Sequence, residues 1–177
     1  PSEPQAAPVA IAAGVVFPLT GRLHLTATKN GAPAEDYRAA QAAGQETGWK
    51  SLTALSDSQV LAVTSDNRLV RVEYRASLRP QLAEISVTQS MHTIDVAPTA
   101  ANGMLLAATA DGKLVLMQSS SLEVLAEAEL GGVPARSPFV SGDHVFVDVG
   151  RRELRTYVIE NGLTPSGVWP LEGQTLV

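Results

Sequence analysis

The chain has 177 residues, 45% of them hydrophobic, 18% charged and 5% aromatic, with a formal net charge of -5. It contains no cysteine, which excludes disulfides, thiolate metal sites and cysteine nucleophiles, and it has no apolar run of the roughly 18 residues that a membrane-spanning helix needs. The acidic balance offers no general electrostatic attraction for nucleic acid or anionic lipid, so neither nucleic-acid binding nor membrane insertion is expected.

In chain order, Pro1-Ser2-Glu3-Pro4-Gln5-Ala6-Ala7-Pro8 reads as a Pro/Ala linker left behind a signal, anchor or upstream domain, with residues 1–6 assigned to it. From residue 7 a four-strand pattern recurs. Strand A is carried by Ala7-Pro8-Val9-Ala10, Ser51-Leu52-Thr53-Ala54, Ala97-Pro98-Thr99-Ala100 and Ser137-Pro138-Phe139-Val140. Proline, lacking an N–H, suits the first residue of a strand or an unpaired edge. Turn residues follow, as in Ala101-Asn102-Gly103 and Ser141-Gly142-Asp143.

Strand B begins at Val15, Val60, Leu105 and Val145, in steps of 45, 45 and 40 residues. It ends in a tight turn at Thr20-Gly21, Asp66-Asn67, Asp111-Gly112 and Gly150-Arg151. Such pairs between apolar runs mark a hairpin, because Gly and Asn tolerate positive φ. Strand C begins at Leu23, Leu69, Leu114 and Leu154, and strand D follows a third turn, as in Gln81–Val87 and Leu122–Leu130. The segment Ala34–Ala43 is rich in helix formers. Its place in the repeat predicts an outer strand, with a short helix as the alternative.

A repeat of 40 to 45 residues with four strands per unit predicts an all-β chain of about four antiparallel β-propeller blades. The units fall at about residues 7–46, 47–92, 93–134 and 135–173 of a repeat domain covering 7–177. Four blades read as half, or a fragment, of a seven- to eight-bladed ring. The alternatives are two copies pairing into one ring and a small closed four-bladed ring. An open end would leave apolar sheet surface uncovered, and such surfaces drive association.

With the units aligned, the phrasing resembles the PQQ-like (quinoprotein-like) β-propeller repeat. The fourth unit carries this resemblance from Ser137-Pro138-Phe139-Val140 through Gly142, Val145-Phe146-Val147 and Leu154 to Gly167-Val168-Trp169. The third carries it through Pro98, Gly103, Leu105-Leu106 and Asp111-Gly112-Lys113-Leu114. Members of that family that use the quinone hold it with calcium, often beside a vicinal disulfide. Here there is no cysteine and no cluster of acidic and amide residues stands out. The resemblance therefore implies a non-catalytic branch, with the family's periplasmic scaffold as the parallel, and no cofactor. Trp169 matches the family's packing Trp, whereas Trp49 precedes strand A of the second unit and is not its equivalent.

No catalytic residue is assigned: the chain has no Gly-x-Ser-x-Gly elbow and no phosphate loop. The three histidines, His24, His92 and His144, fall at different places in their units, so no metal site is expected. His144 and Asp148 would share a strand face. The one positional signal is a basic residue before strand C: Arg22, Arg68 and Lys113, with Arg151-Arg152 in the fourth unit. Equivalent turns in successive blades share a rim, so these cations are candidates for a positive arc that would take an acidic peptide or anionic sugar. The competing reading is ordinary solvated charge. The paired carboxylates Glu35-Asp36 fall on an expected outer strand, where solvation is the default.

These readings together predict a non-enzymatic protein–protein interaction scaffold, periplasmic or otherwise extracytoplasmic, with a protein or peptide partner and homodimerisation as one route to a complete propeller. The alternatives are a quinoprotein-type dehydrogenase fragment and a ligand-sensing domain of a larger signalling protein.

Overall fold

A computed structural model describes residues 4–27, 33–39, 47–77 and 81–171. It contains sixteen strands in four four-stranded antiparallel meanders. The first sheet comprises β1 (Val9–Ile11), β2 (Gly14–Leu19), β3 (Arg22–Ala27) and β4 (Pro33–Tyr37). The second comprises β5 (Trp49–Ala54), β6 (Gln59–Thr64), β7 (Arg68–Tyr74) and β8 (Leu82–Gln89). The third comprises β9 (Thr99–Ala101), β10 (Met104–Ala108), β11 (Lys113–Gln118) and β12 (Val124–Glu129). The fourth comprises β13 (Phe139–Ser141), β14 (His144–Val149), β15 (Glu153–Ile159) and β16 (Leu163–Pro170). Each sheet runs in chain order, so every connection within it is a hairpin.

The expected prolines do what their chemistry allows. Pro8, Pro98 and Pro138 each stand immediately before a three-residue first strand, where the missing N–H costs no ladder bond. The second sheet has no such proline, and its first strand runs to six residues, starting at Trp49. Trp49 therefore opens strand A rather than preceding it. Its indole is buried and donates Nε1–H to the Leu19 carbonyl at 2.9 Å. Gln5, in the stretch read as linker, accepts the Trp49 amide at 2.9 Å and donates its own amide to the Pro18 carbonyl at 2.8 Å. The ambiguous Ala34–Ala43 segment pairs as strand through Tyr37. Arg38 and Ala39 follow without regular structure, and residues 40–43 lie outside the described residues.

The chain forms two compact units, Pro1–Met91 and His92–Val177. In the first, the facing surfaces of the first two sheets share one core. Val16, Leu23 and Leu25 of the first sheet meet Val60, Ala62, Val70 and Val72 of the second, with Trp49 and Tyr37 filling the margin. Register explains the grouping: Val16 opposes Leu25, and Ala62 opposes Val70, so each pair shares a sheet face.

The second unit repeats the device. Leu106, Ala108, Leu114 and Leu116 of the third sheet pack on Val145, Val147, Val149 and Tyr157 of the fourth. Tyr157 buries its ring and donates its hydroxyl to the Glu129 carbonyl at 2.7 Å. Aliphatic side chains carry almost all of this burial, as a composition with few aromatics requires, each fully buried one contributing about 1.5–3 kcal/mol.

Candidate functional site

The turn between the second and third strands recurs in all four sheets and is built by a short list of residues. Gly21 (φ 72°), Asn67 (φ 60°) and Gly112 (φ 81°) supply the left-handed position in the first three sheets. In the second and third sheets a threonine closes the loop. The Thr64 hydroxyl accepts the Arg68 amide at 2.8 Å, and the Thr109 hydroxyl accepts the Lys113 amide at 3.0 Å. The fourth sheet departs from this pattern. Gly150 (φ 60°) and Arg151 (φ 58°), both left-handed, are the central residues of a turn closed by the Arg152 amide on the Val149 carbonyl at 3.1 Å, within a three-residue connection from Val149 to Glu153.

These turns place each candidate cation, and the outer strands supply partners that its position in sequence does not reveal. Arg22 meets Asp36 of β4 at 2.8 Å, and the same carboxylate takes His24 Nδ1 at 2.6 Å. Asp36 is thus paired rather than merely solvated. Arg68 meets Asp66 within its own turn at 2.8 Å. Lys113 meets Glu127 of β12 at 2.9 Å. Arg151 and Arg152 are exposed, and no described carboxylate lies within ion-pair distance of either side chain. In the second unit, then, Arg151 and Arg152 form an open cationic pair at one turn, while Lys113 is neutralised at another.

The carboxylates respond to these partners. Burial works to raise Asp36, but the His24 hydrogen bond and the Arg22 charge outweigh it and hold it below the usual carboxylate range. Burial likewise opposes the Thr64 hydrogen bond and Arg68 charge at Asp66, which also ends below the usual range.

Beside Lys113 the second unit has a shallow cleft of about 240 Å³ between the turn Ala110–Gly112 and the connector at Gly131–Val133, with Glu129 on its wall. Glycine is favoured here because the backbone is left-handed at Gly112 (φ 81°) and Gly131 (φ 66°), and a Cβ on Gly112 would also lie 3.3 Å from the Gly132 carbonyl oxygen. The walls offer carboxylates rather than cations, so the cleft and the Arg151–Arg152 pair are chemically distinct surfaces.

The histidines stand apart. His144 bonds Asp143 at 2.7 Å. Asp148 shares its strand face but is buried and faces Arg136 at 3.7 Å. No group of three metal-ligating side chains converges among the described residues.

The most exposed large apolar side chains of a regular sheet face lie on the fourth sheet. Its inner face packs on the third sheet, and its other face carries Phe139, Phe146, Leu154 and Trp169, which the registers Phe139–Phe146 and Leu154–Trp169 place side by side. Phe139 is 64% exposed and Trp169 62%. The two phenyl rings sit 6.0 Å apart, tilted by 43°. Trp169 covers the space beside Gly167, where a Cβ would meet its Nε1 at 3.2 Å and the Thr156 hydroxyl at 2.9 Å. Alignment along the repeat explains the composition of this face. Where the third sheet presents Ala108 and Leu116 to its neighbour, the fourth has Asp148 and Thr156. Sequence reading matched Trp169 to a packing Trp without showing that its own face is open.

No family model and no curated protein matches this chain in sequence. Its fold is similar to that of two solved structures. One is the crystal structure of BamB from Moraxella catarrhalis, with a TM-score of 0.65, 16% identity, and coverage of 94% of this chain and 52% of that one. The other is the Cps50 (Swd1) β-propeller domain of Myceliophteria thermophila, with a TM-score of 0.64, 15% identity, and coverage of 89% and 55%. The chain thus spans about half the length of each, and its four antiparallel meanders are blades of a β-propeller fold.

Proposed function

We propose that this chain is a non-enzymatic protein-interaction scaffold of the PQQ-like propeller type, working outside the cytoplasm, and that its first partner is a second copy of itself seated on the open face of the fourth blade. The observation that carries the reading is the Phe139–Phe146–Leu154–Trp169 face. The equivalent face of the third blade is sealed by a neighbouring blade, and this one is not. An exposed aromatic and aliphatic face of this kind is an association surface, and aromatic anchors are the side chains that dominate such contacts. The occupant that fits is another blade, because a blade covers the same face one repeat earlier. The half-length match to whole propellers supports a second set of four blades as its source.

Among the candidate cations Arg22, Arg68, Lys113, Arg151 and Arg152, those of the fourth blade belong to this reading as a secondary contact for acidic segments of a protein partner. These are Arg151 and Arg152, because Arg22, Arg68 and Lys113 already hold carboxylates. Resemblance of the repeat to the non-catalytic quinoprotein-like branch supports the extracytoplasmic setting.

Light scattering after size exclusion tests the pairing. The expected result is a concentration-dependent mass approaching twice 18.6 kDa, reduced to the single-chain mass in a Phe139→Ser/Trp169→Ser variant. A wild-type chain that stays at the single mass at high concentration overturns it, as does a variant that still pairs while its circular dichroism is unchanged.

A further inference from the structure

His92 opens the second compact unit, and its ring lies between two carboxylates. Nδ1 is 3.1 Å from Asp111 Oδ2 in the turn before β11, and Nε2 is 3.1 Å from Glu127 Oε1 on β12. Its side chain is only 14% exposed. An ionised carboxylate can only accept hydrogen bonds, whereas a neutral imidazole has one N–H and one lone pair. Satisfying both contacts therefore requires the doubly protonated ring. The neutral ring would turn a lone pair toward one of the two carboxylates.

The surrounding charges hold the carboxylates in place. Lys113 Nζ on β11 takes the other Glu127 oxygen at 2.9 Å, and Glu129 lies near enough on β12 to add to the field at Lys113. Asp95, on the same connector as His92, is exposed. The segment that His92 begins is anchored again at two points. The Thr93 carbonyl accepts the Ala110 amide at 2.8 Å, and Ile94 is buried.

We propose that His92 is a protonation latch: as an imidazolium it pins the connector leading into the third blade to the Ala110–Gly112 turn and β12, and loss of one proton releases the connector at that end. The direction of its titration agrees. Partial burial pulls the His92 pKa down, but the hydrogen bonds and charges of Asp111 and Glu127 outweigh it and hold the ring above its ordinary value of 6.5. A raised folded-state value means that the latch's contribution is fully present below the ordinary value and disappears as pH rises through the raised one. On the acid side, Asp111 is lowered by the Thr109 hydroxyl and then by His92, and Glu127 by Lys113 and then by His92. Their contribution is lost only as pH falls through those lowered values.

The test is an NMR titration of the His92 ring in the full chain, with hydrogen exchange of the Ala110 amide followed over the same pH range and corrected for intrinsic exchange. His92 should titrate above 6.5, and Glu127→Gln should lower its midpoint. Ala110 protection should fall through the wild-type midpoint and be flat with pH in His92→Gln. Each variant's retained fold is checked by the chemical-shift dispersion of β14 and β15. A His92 midpoint at or below 6.5, a midpoint unmoved by Glu127→Gln, or wild-type Ala110 protection independent of pH overturns the latch. None of these results depends on whether the chain pairs through the fourth blade.

Discussion

Arg151 and Leu122 are both non-glycine residues at positive φ, 58° and 63°, yet substitution should move stability in opposite directions. Arg151 is exposed at the second position of a tight hairpin turn, where Asn or Gly is favoured. Arg151→Asn should relieve the left-handed strain and stabilise the chain by about 1 kcal/mol. Leu122 is buried, so Leu122→Gly gives up about 1.5–3 kcal/mol of apolar burial against a relief of about 1 kcal/mol. The expected net is a loss of about 0.5–2 kcal/mol. Urea unfolding midpoints of the two variants decide both, and an Arg151→Asn midpoint below wild type would contradict the turn assignment. The turn glycines and Asn67 were legible in the sequence because their backbone demand is local. The Arg22–Asp36 and Lys113–Glu127 pairs were not, since their partners lie 14 residues away on another strand.

That distance is set at the level of the strands. In each sheet the third and fourth strands pair with one register shift, at Leu25/Thr26, Arg71/Val72, Leu116/Met117 and Thr156/Tyr157. A one-residue shift changes which outer-strand side chains lie opposite the inner strand, so a strict alternation read from sequence cannot say that Asp36 opposes His24. The strand order itself was legible, because Pro before a strand, Gly or Asn at a hairpin and Leu at the start of the third strand are all local signals. The Arg22–Asp36–His24 cluster also makes a pH prediction for this element. A carboxylate held below its ordinary value stabilises the fold above that value, and the contribution is lost as pH falls through the lowered one. Urea midpoints should therefore decline below about pH 4, the ordinary carboxylate range, and Asp36→Asn should make that decline shallower. An equally steep decline in Asp36→Asn would show that the pair contributes nothing.

At the scale of the whole molecule, the chain matches about half the length of propeller structures and carries an open aromatic face on its fourth blade. The composition of that face is intermediate between a core and a surface: Phe139, Phe146, Leu154 and Trp169 surround Asp148 and Thr156, where the preceding blade has Ala108 and Leu116. Such a mixture suits a surface that is covered in one state and wet in another. The repeat made blades legible from sequence, but which faces stay open depends on what packs against each sheet, and no local pattern encodes that. Hydroxyl-radical footprinting of Phe139 and Trp169 across a concentration series measures this surface directly. Pairing through the fourth blade predicts that both side chains lose reactivity as concentration rises, with exposed Met91 as an unchanged reference. Reactivity of Phe139 and Trp169 that stays constant while the solution mass doubles would place the contact elsewhere and contradict the account.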